Sequence, residues 1–138
     1  METSIKHFDP AMLAKYGNFL LRNISMARHI PYKAVQLNGL PAQPKECHYN
    51  ARQYTVENPG YVFQDGWLCL DGGADSPVIY FLAHSIVHSP TGEKLDVTPV
   101  TSLDPRPFMP AFLDEDSFVR LVTYLDETQG SSVFSVAK

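Results

Sequence analysis

Cysteine is scarce in this chain. Cys47 and Cys69 are its only two, too few for a disulfide scaffold, and both read as reduced thiols. There is no paired CxxC, no HExxH and no glycine-rich phosphate loop; Gly72-Gly73 reads as a turn. There is no long run of one charge sign, and the net charge is −4. That pattern argues against a polybasic nucleic-acid surface and against attraction to anionic lipid. Long apolar runs are missing too: none reaches the length that crosses a bilayer. The first residues, METSIKHF, lack the apolar core of a secretory signal. A cytoplasmic protein is expected, with no nucleic-acid or membrane partner, although a specialised secretion route would leave no mark at this level. Repeats, low-complexity segments and long linkers are also lacking, so residues 1–138 read as one domain.

What is present is the composition of a globular protein, 44% hydrophobic against 19% charged. Asp9-Pro10 predicts a helix start, a side-chain cap followed by proline at the first helical position. Met12, Leu13, Tyr16, Phe19, Leu20, Ile24 and Ala27 then recur at helical spacing, and Pro31 ends the segment. Residues 31–46 read as a connection with a short extended piece at 34–37. Residues 47–57 (CHYNARQYTVE) predict a helix stopped by Asn58-Pro59-Gly60, with Cys47, Asn50, Ala51 and Tyr54 on one face. Strands are expected at 61–70, with a candidate break at Asp65-Gly66, then at 78–88 and at 94–99. Residues 100–112 are proline-rich and irregular, with a short strand near Phe108. Asp114 caps a last helix with Phe118, Leu121, Val122 and Leu125 on its apolar face, and Gly130 ends it. Leu113 and Phe118 suit a hydrophobic staple across its start.

One turn carries chemical weight. In Ser89-Pro90-Thr91-Gly92-Glu93, Pro90 suits the first central position of a type I turn and Gly92 the left-handed residue after it. That three-residue loop pairs Ser89 with Glu93, sets Ile86 opposite Asp96 and makes His84 and Asp96 diagonal neighbours on one face. A two-residue loop would put Asp96 on the other face.

Cys47 at a helix start, His84 in a strand and Asp96 on its return therefore form a candidate nucleophile, base and orienting carboxylate. A thiol is a useful nucleophile as thiolate, and helix N-termini and imidazoles favour that form. His84 lies in an apolar run, Phe81-Leu82-Ala83 before it and Ser85-Ile86-Val87 after, so its ring needs a polar partner. His88 shares the His84 face and is the competing base. Asn50, one turn after Cys47, is a candidate to hold the site's loop. Gln43 or the Cys47 backbone amide is a candidate oxyanion donor. Each residue also has a plainer use: Cys47 as a buried thiol, His84 as a satisfied core histidine, Asp96 as an acceptor of backbone amides. Cys69, between Leu68 and Leu70, reads as structural. A zinc site drawn from Cys47, His48, His84 and His88 has poor spacing, since adjacent helical residues point apart. Neither metal nor other cofactor is expected.

Residues 46–99 resemble a group of largely uncharacterised bacterial and phage proteins. The matching parts are Cys47-His48-Tyr49-Asn50, Gly66-Trp67, His84, and Gly92 through Asp96-Val97-Thr98-Pro99. Their order is similar to that of the papain-like superfamily, including NlpC/P60 peptidases and transglutaminase-like proteins. The fuller signature around the cysteine of better-known members is not found here. The resemblance implies an α+β papain-like fold: a cysteine helix packed on a small antiparallel sheet, with flanking helices at both ends. It implies Cys47 as nucleophile, His84 as base and acid, and Asp96 as orienter, acting on the acyl or amide groups of a peptide or protein substrate. The alternative is an inactive papain-like fold that serves as a protein-binding module, with DPRPFMPAF (104–112) as its exposed apolar surface.

Overall fold

A computed structural model describes residues 3–100 and 106–138. The fold is α+β, three helices and an antiparallel sheet. Helix α1 (Pro10–Arg22) starts where expected, with the Asp9 side chain accepting from the Met12 amide. It ends earlier than its apolar periodicity suggests. Asn23 donates its side-chain amide to the Phe19 carbonyl and its backbone N–H to Leu20. With the last turn closed in this way, Ile24–Met26 tightens into a 3-10 turn.

The connection that follows holds more structure than its prolines suggest. Strands β1 (Gln36–Leu37) and β2 (Leu40–Pro41) form a small hairpin. Asn38 and Gly39 turn it with φ of 53° and 79°; both central residues of a type I′ turn need this sign, and asparagine and glycine adopt it most readily. Helix α2 (Cys47–Glu57) keeps its expected bounds.

The sheet is built on two long strands, β3 (Val62–Asp71) and β4 (Val78–His88), paired over almost their whole length. Gly66 does not break β3. Strand β6 (Phe108–Pro110) pairs with the far edge of β3 at Gly66 to Leu68. The other edge of β4 is shared: β5 (Lys94–Leu95) covers Val87 and His88, and β7 (Val133–Ala137) covers Val78 to Leu82. His84 to Ile86 lie between them. Strand β7 follows α3 (Glu115–Gln129) and was absent from the sequence expectation, although VFSVA alternates as an edge strand should. Asp114 caps α3 through Ser117, and Gly130, at φ 77°, ends it.

Alternation along the strands divides the core. Trp67, Cys69, Phe81 and Ala83 face a cluster with Tyr16 and Leu20 of α1, Phe118 and Leu125 of α3, and Phe134 of β7. Further along β4, Val87 packs on Ala51 and Tyr54 of α2. Leu68, Leu82, Ile86 and Phe108 bury the opposite face under Ile30. Ile30 belongs to a strap that crosses the sheet. Arg28 bridges Phe108 at one side, and Tyr32 bridges Asp96 at the other. The stretch 104–112 is therefore not an exposed apolar surface where it is described: Phe108, Met109 and Ala111 are buried. Residues 104 and 105 lie outside the described residues.

The hairpin between β4 and β5 has the predicted register, His88 opposite Lys94, closed by Ser89 N–H to the Glu93 carbonyl with Gly92 at φ 87°. Strand pairing stops at Leu95, short of the expected 99. The outward-facing backbone of Asp96 is taken by the strap instead: its N–H donates to Pro31 and its carbonyl accepts from Lys33.

Gly66 stands opposite His84 in the sheet. A Cβ there would lie 2.2 Å from the Met109 carbonyl oxygen and 2.5 Å from the Phe108 ring. Backbone cannot yield as a flexible side chain can, so Gly66→Ala is expected to cost about 3 kcal/mol. Urea unfolding followed by circular dichroism measures it; an unchanged midpoint would contradict this packing.

Candidate active site

The site begins with an imidazole held in the sheet. His84 is 6% exposed and shares its face of β4 with Ile86 and His88. Burial alone would drive such a ring to its neutral form. Asp96, also buried, prevents it: His84 Nε2 donates to Asp96 Oδ2 at 2.7 Å. The other carboxylate oxygen accepts the Thr98 amide at 3.0 Å, which fixes the acid in place. Phe108 meets the His84 ring edge-on at 6.3 Å between centroids. Burial lowers the His84 pKa, but hydrogen bonds to Asp96 and Cys47 outweigh it and raise the pKa to about 9.

Cys47 is brought to this ring by α2. The chain enters the helix through Lys45, a non-glycine residue at φ 67°, and Glu46 supplies no side-chain cap. The first-turn amides of α2 are thus left without a capping side chain, at the positive end of the helix dipole. The thiol is nearly buried and its Sγ lies 3.9 Å from the Ala83 carbonyl oxygen. Burial raises its pKa, yet hydrogen bonds from His48 and His84 and the charge of both rings bring it down to about 6. With Nε2 of His84 spent on Asp96, Nδ1 is the nitrogen left for the sulfur. Cys69 makes the contrast: buried with no such partner, its thiol is pushed up to about 12.

Asn50 stitches three segments together. Its Nδ2 donates to the Gln43 carbonyl at 2.8 Å and to Thr98 Oγ1 at 3.0 Å. One buried amide thereby ties α2 to the loop before it and to the segment that carries Asp96. Gln43 joins the site through that carbonyl. Its side-chain amide, the candidate oxyanion donor, donates to the Pro41 carbonyl at 3.1 Å, two residues away along its own loop. His88 is drawn elsewhere too. Its Nε2 meets Gln64 Oε1 near the hairpin end, and burial, with nearby Lys94, lowers its pKa. Cys47, His84, Asp96 and Asn50 come together; His88 and the Gln43 side chain do not join them.

A second arm was missed at the sequence level except as a poor zinc ligand. His48 Nδ1 meets Ser85 Oγ at 2.5 Å, and Ser85 donates to Asp65 Oδ1 at 2.6 Å. Asp65 is clamped by Arg52 through 3.1 and 2.9 Å contacts to its two oxygens. Arg52 stacks on Phe63 at 4.2 Å and also bonds Glu115 of α3. The spacing of His48 and Arg52, one helical turn apart on α2, was the available signal. Among the described residues, no cluster of three or more acidic, histidine or cysteine side chains has the geometry to hold a metal ion. No helix of the described residues is long and apolar enough to cross a membrane.

No family model, no curated protein and no solved structure matches this chain.

Asn50 is 1% exposed, so truncating it removes the partner of the buried Thr98 hydroxyl and of the part-buried Gln43 carbonyl. Asn50→Ala is expected to cost about 2 kcal/mol and to loosen the loop before Cys47. Denaturant unfolding, with protease sensitivity of residues 41–46, measures both effects; loss of neither would contradict the stitching role.

Proposed function

We propose that this chain is a cysteine-dependent acyl hydrolase or transferase acting on amide groups of a peptide or protein, with a papain-like arrangement of its parts. The observation that carries this is the placement of His84: a buried imidazole with one nitrogen on Asp96, next along β4 to Ala83, whose carbonyl oxygen lies 3.9 Å from the sulfur of a thiol at a helix start. Cys47 is the nucleophile, His84 the base and acid, and Asp96 the residue that orients His84.

Between the two pKa values the resting pair is thiolate and imidazolium. The thiolate attacks the carbonyl carbon. The oxyanion that forms is met by the uncapped first-turn amides of α2, including that of Cys47. His84 gives its proton to the leaving amine, the C–N bond breaks, and a thioester remains on Cys47. The neutral ring then takes a proton from water, whose oxygen attacks the thioester and releases the acid and the thiolate. If an amine replaces water, the product is a transferred acyl group. Asp96 holds the ring throughout by its hydrogen bond to Nε2, leaving the other nitrogen for the sulfur.

The test needs no natural substrate. In a Cys69→Ser background, iodoacetamide alkylation of Cys47 is expected to titrate with a midpoint near 6. In His84→Ala the midpoint should move toward the ordinary thiol value of about 8.5, cutting the rate at neutral pH by about 30-fold. An ordinary profile in the parent, unmoved by His84→Ala, would overturn the proposal. Turnover of any amide probe should follow a bell. It rises as Cys47 loses its proton near pH 6 and falls as His84 loses its own near pH 9, since a neutral ring cannot protonate the leaving amine.

A further inference from the structure

Strand β3 is left open along part of one side. Strand β6 pairs with it only from Gly66 to Leu68. Antiparallel strands turn the backbone groups of alternate residues to opposite sides. The Cys69 N–H donates to the Pro107 carbonyl, and the Asp65 carbonyl accepts from the Ala111 N–H. The odd-numbered residues of β3 therefore face away from β4. Phe63 is the next of them, beyond the reach of β6. Among the described residues, its N–H and carbonyl have no backbone partner, and neither does the Asp65 N–H.

The cause is local. The Ala111 carbonyl, which would meet the Asp65 N–H, accepts instead from the Tyr16 hydroxyl at 2.7 Å. Phe112 then takes a φ of 58°, a left-handed backbone that a bulky residue rarely adopts. Its carbonyl accepts the Thr3 N–H, and Leu113 bridges Thr3. The chain is drawn off toward the N-terminal segment, and a groove of about 520 Å³ is left, lined by Phe63, Asp65, Ala111, Phe112, Leu113 and Glu115 among others. Val62, which also lines it, is 59% exposed. The two charged side chains of the lining are Asp65 and Glu115. Both bond the single guanidinium of Arg52, Asp65 through two contacts. One cation against two carboxylates leaves one negative charge, and Glu115 is the accessible carboxylate, with 51% of its side chain exposed against 6% for Asp65.

We propose that this groove binds an extended peptide, which adds to the free edge of β3 as a further strand and sets a lysine or arginine beside Glu115. The peptide backbone supplies carbonyls to the Phe63 and Asp65 N–H groups and an N–H to the Phe63 carbonyl. A ligand without a peptide backbone, such as an acyl chain, would leave these three groups unpaired. A second copy of this chain suits the groove less well, because a two-fold contact would set two negative grooves against each other. The inference does not depend on the reading of Cys47, whose sulfur meets Ala83 of β4.

The experiment is amide hydrogen exchange by NMR on the intact chain carrying Cys47→Ser, so that no turnover consumes the peptide. The probe is the acetylated, amidated peptide TVKVTV at about 1 mM. The Phe63 and Asp65 amides are expected to exchange freely without peptide and about tenfold more slowly with it. Those of Gln64 and Gly66, which face β4, should be slow in both. Unchanged Phe63 and Asp65 amides overturn the proposal. So does protection that rises with protein concentration alone, which would make a second copy the occupant. Phe63→Pro removes the outward N–H without touching the β4 ladder. It should bind the peptide about tenfold more weakly than Phe63→Ala, which loses the ring but keeps the N–H. If Phe63→Pro fails to fold, the exchange data decide. The peptide TVEVTV should bind about fivefold more weakly than TVKVTV; equal binding overturns the place given to a cation beside Glu115.

Discussion

The hydrogen bond between His84 and Asp96 is the constraint on which the rest of the structure depends. A buried imidazole and a buried carboxylate are each expensive alone, and each removes the other's cost only within hydrogen-bonding reach. That requirement fixes the register of the β4–β5 hairpin, since a slip of one residue would turn Asp96 to the other face. It also explains why strand pairing gives way after Leu95. Asp96 needs its backbone held while its carboxylate faces the ring, and the strap at 31–33 holds it from outside while Thr98 caps the second oxygen.

Around that bond the fold supplies walls. Gly66 admits β6 so closely that Phe108 closes on His84. Asn50 and Arg52 anchor α2 at two places, to the Asp96 segment through Thr98 and to β3 through Asp65. Cys47, at the start of α2, is thereby placed against β4, its sulfur 3.9 Å from the Ala83 carbonyl oxygen. Cys69, on the same sheet, shows what the arrangement changes: two buried thiols in one small protein, one shifted down by its neighbours and one pushed up by their absence.

Local chemistry in the sequence was enough to place much of this. Asp9-Pro10, Asp114 and Gly130 mark helix ends because their signals act within a few residues, and Pro90 with Gly92 determine a loop length and therefore a register. Where partners come from far along the chain, legibility stops. The strap is visible only once Arg28 meets Phe108 and Tyr32 meets Asp96. Ser85 reads as one small residue in an apolar strand until His48 and Asp65 converge on it. Two omissions were not forced by distance. Asn38-Gly39 is a strong hairpin signal, and the alternation in 133–137 is that of a strand. The direction of the Gln43 side chain was not legible either: in a proline-rich loop its amide meets a carbonyl two residues back, that of Pro41.

The central claim is that His84 keeps its proton through neutral pH because Asp96 and the Cys47 thiolate both hold it. Ring nitrogen-15 chemical shifts of His84, followed by NMR from pH 5 to 10, measure that directly. Both ring nitrogens are expected to remain protonated up to a transition near pH 9, with Asp96→Asn moving that transition down. A His84 ring that loses its proton near pH 6.5, or a transition that ignores Asp96→Asn, would contradict it.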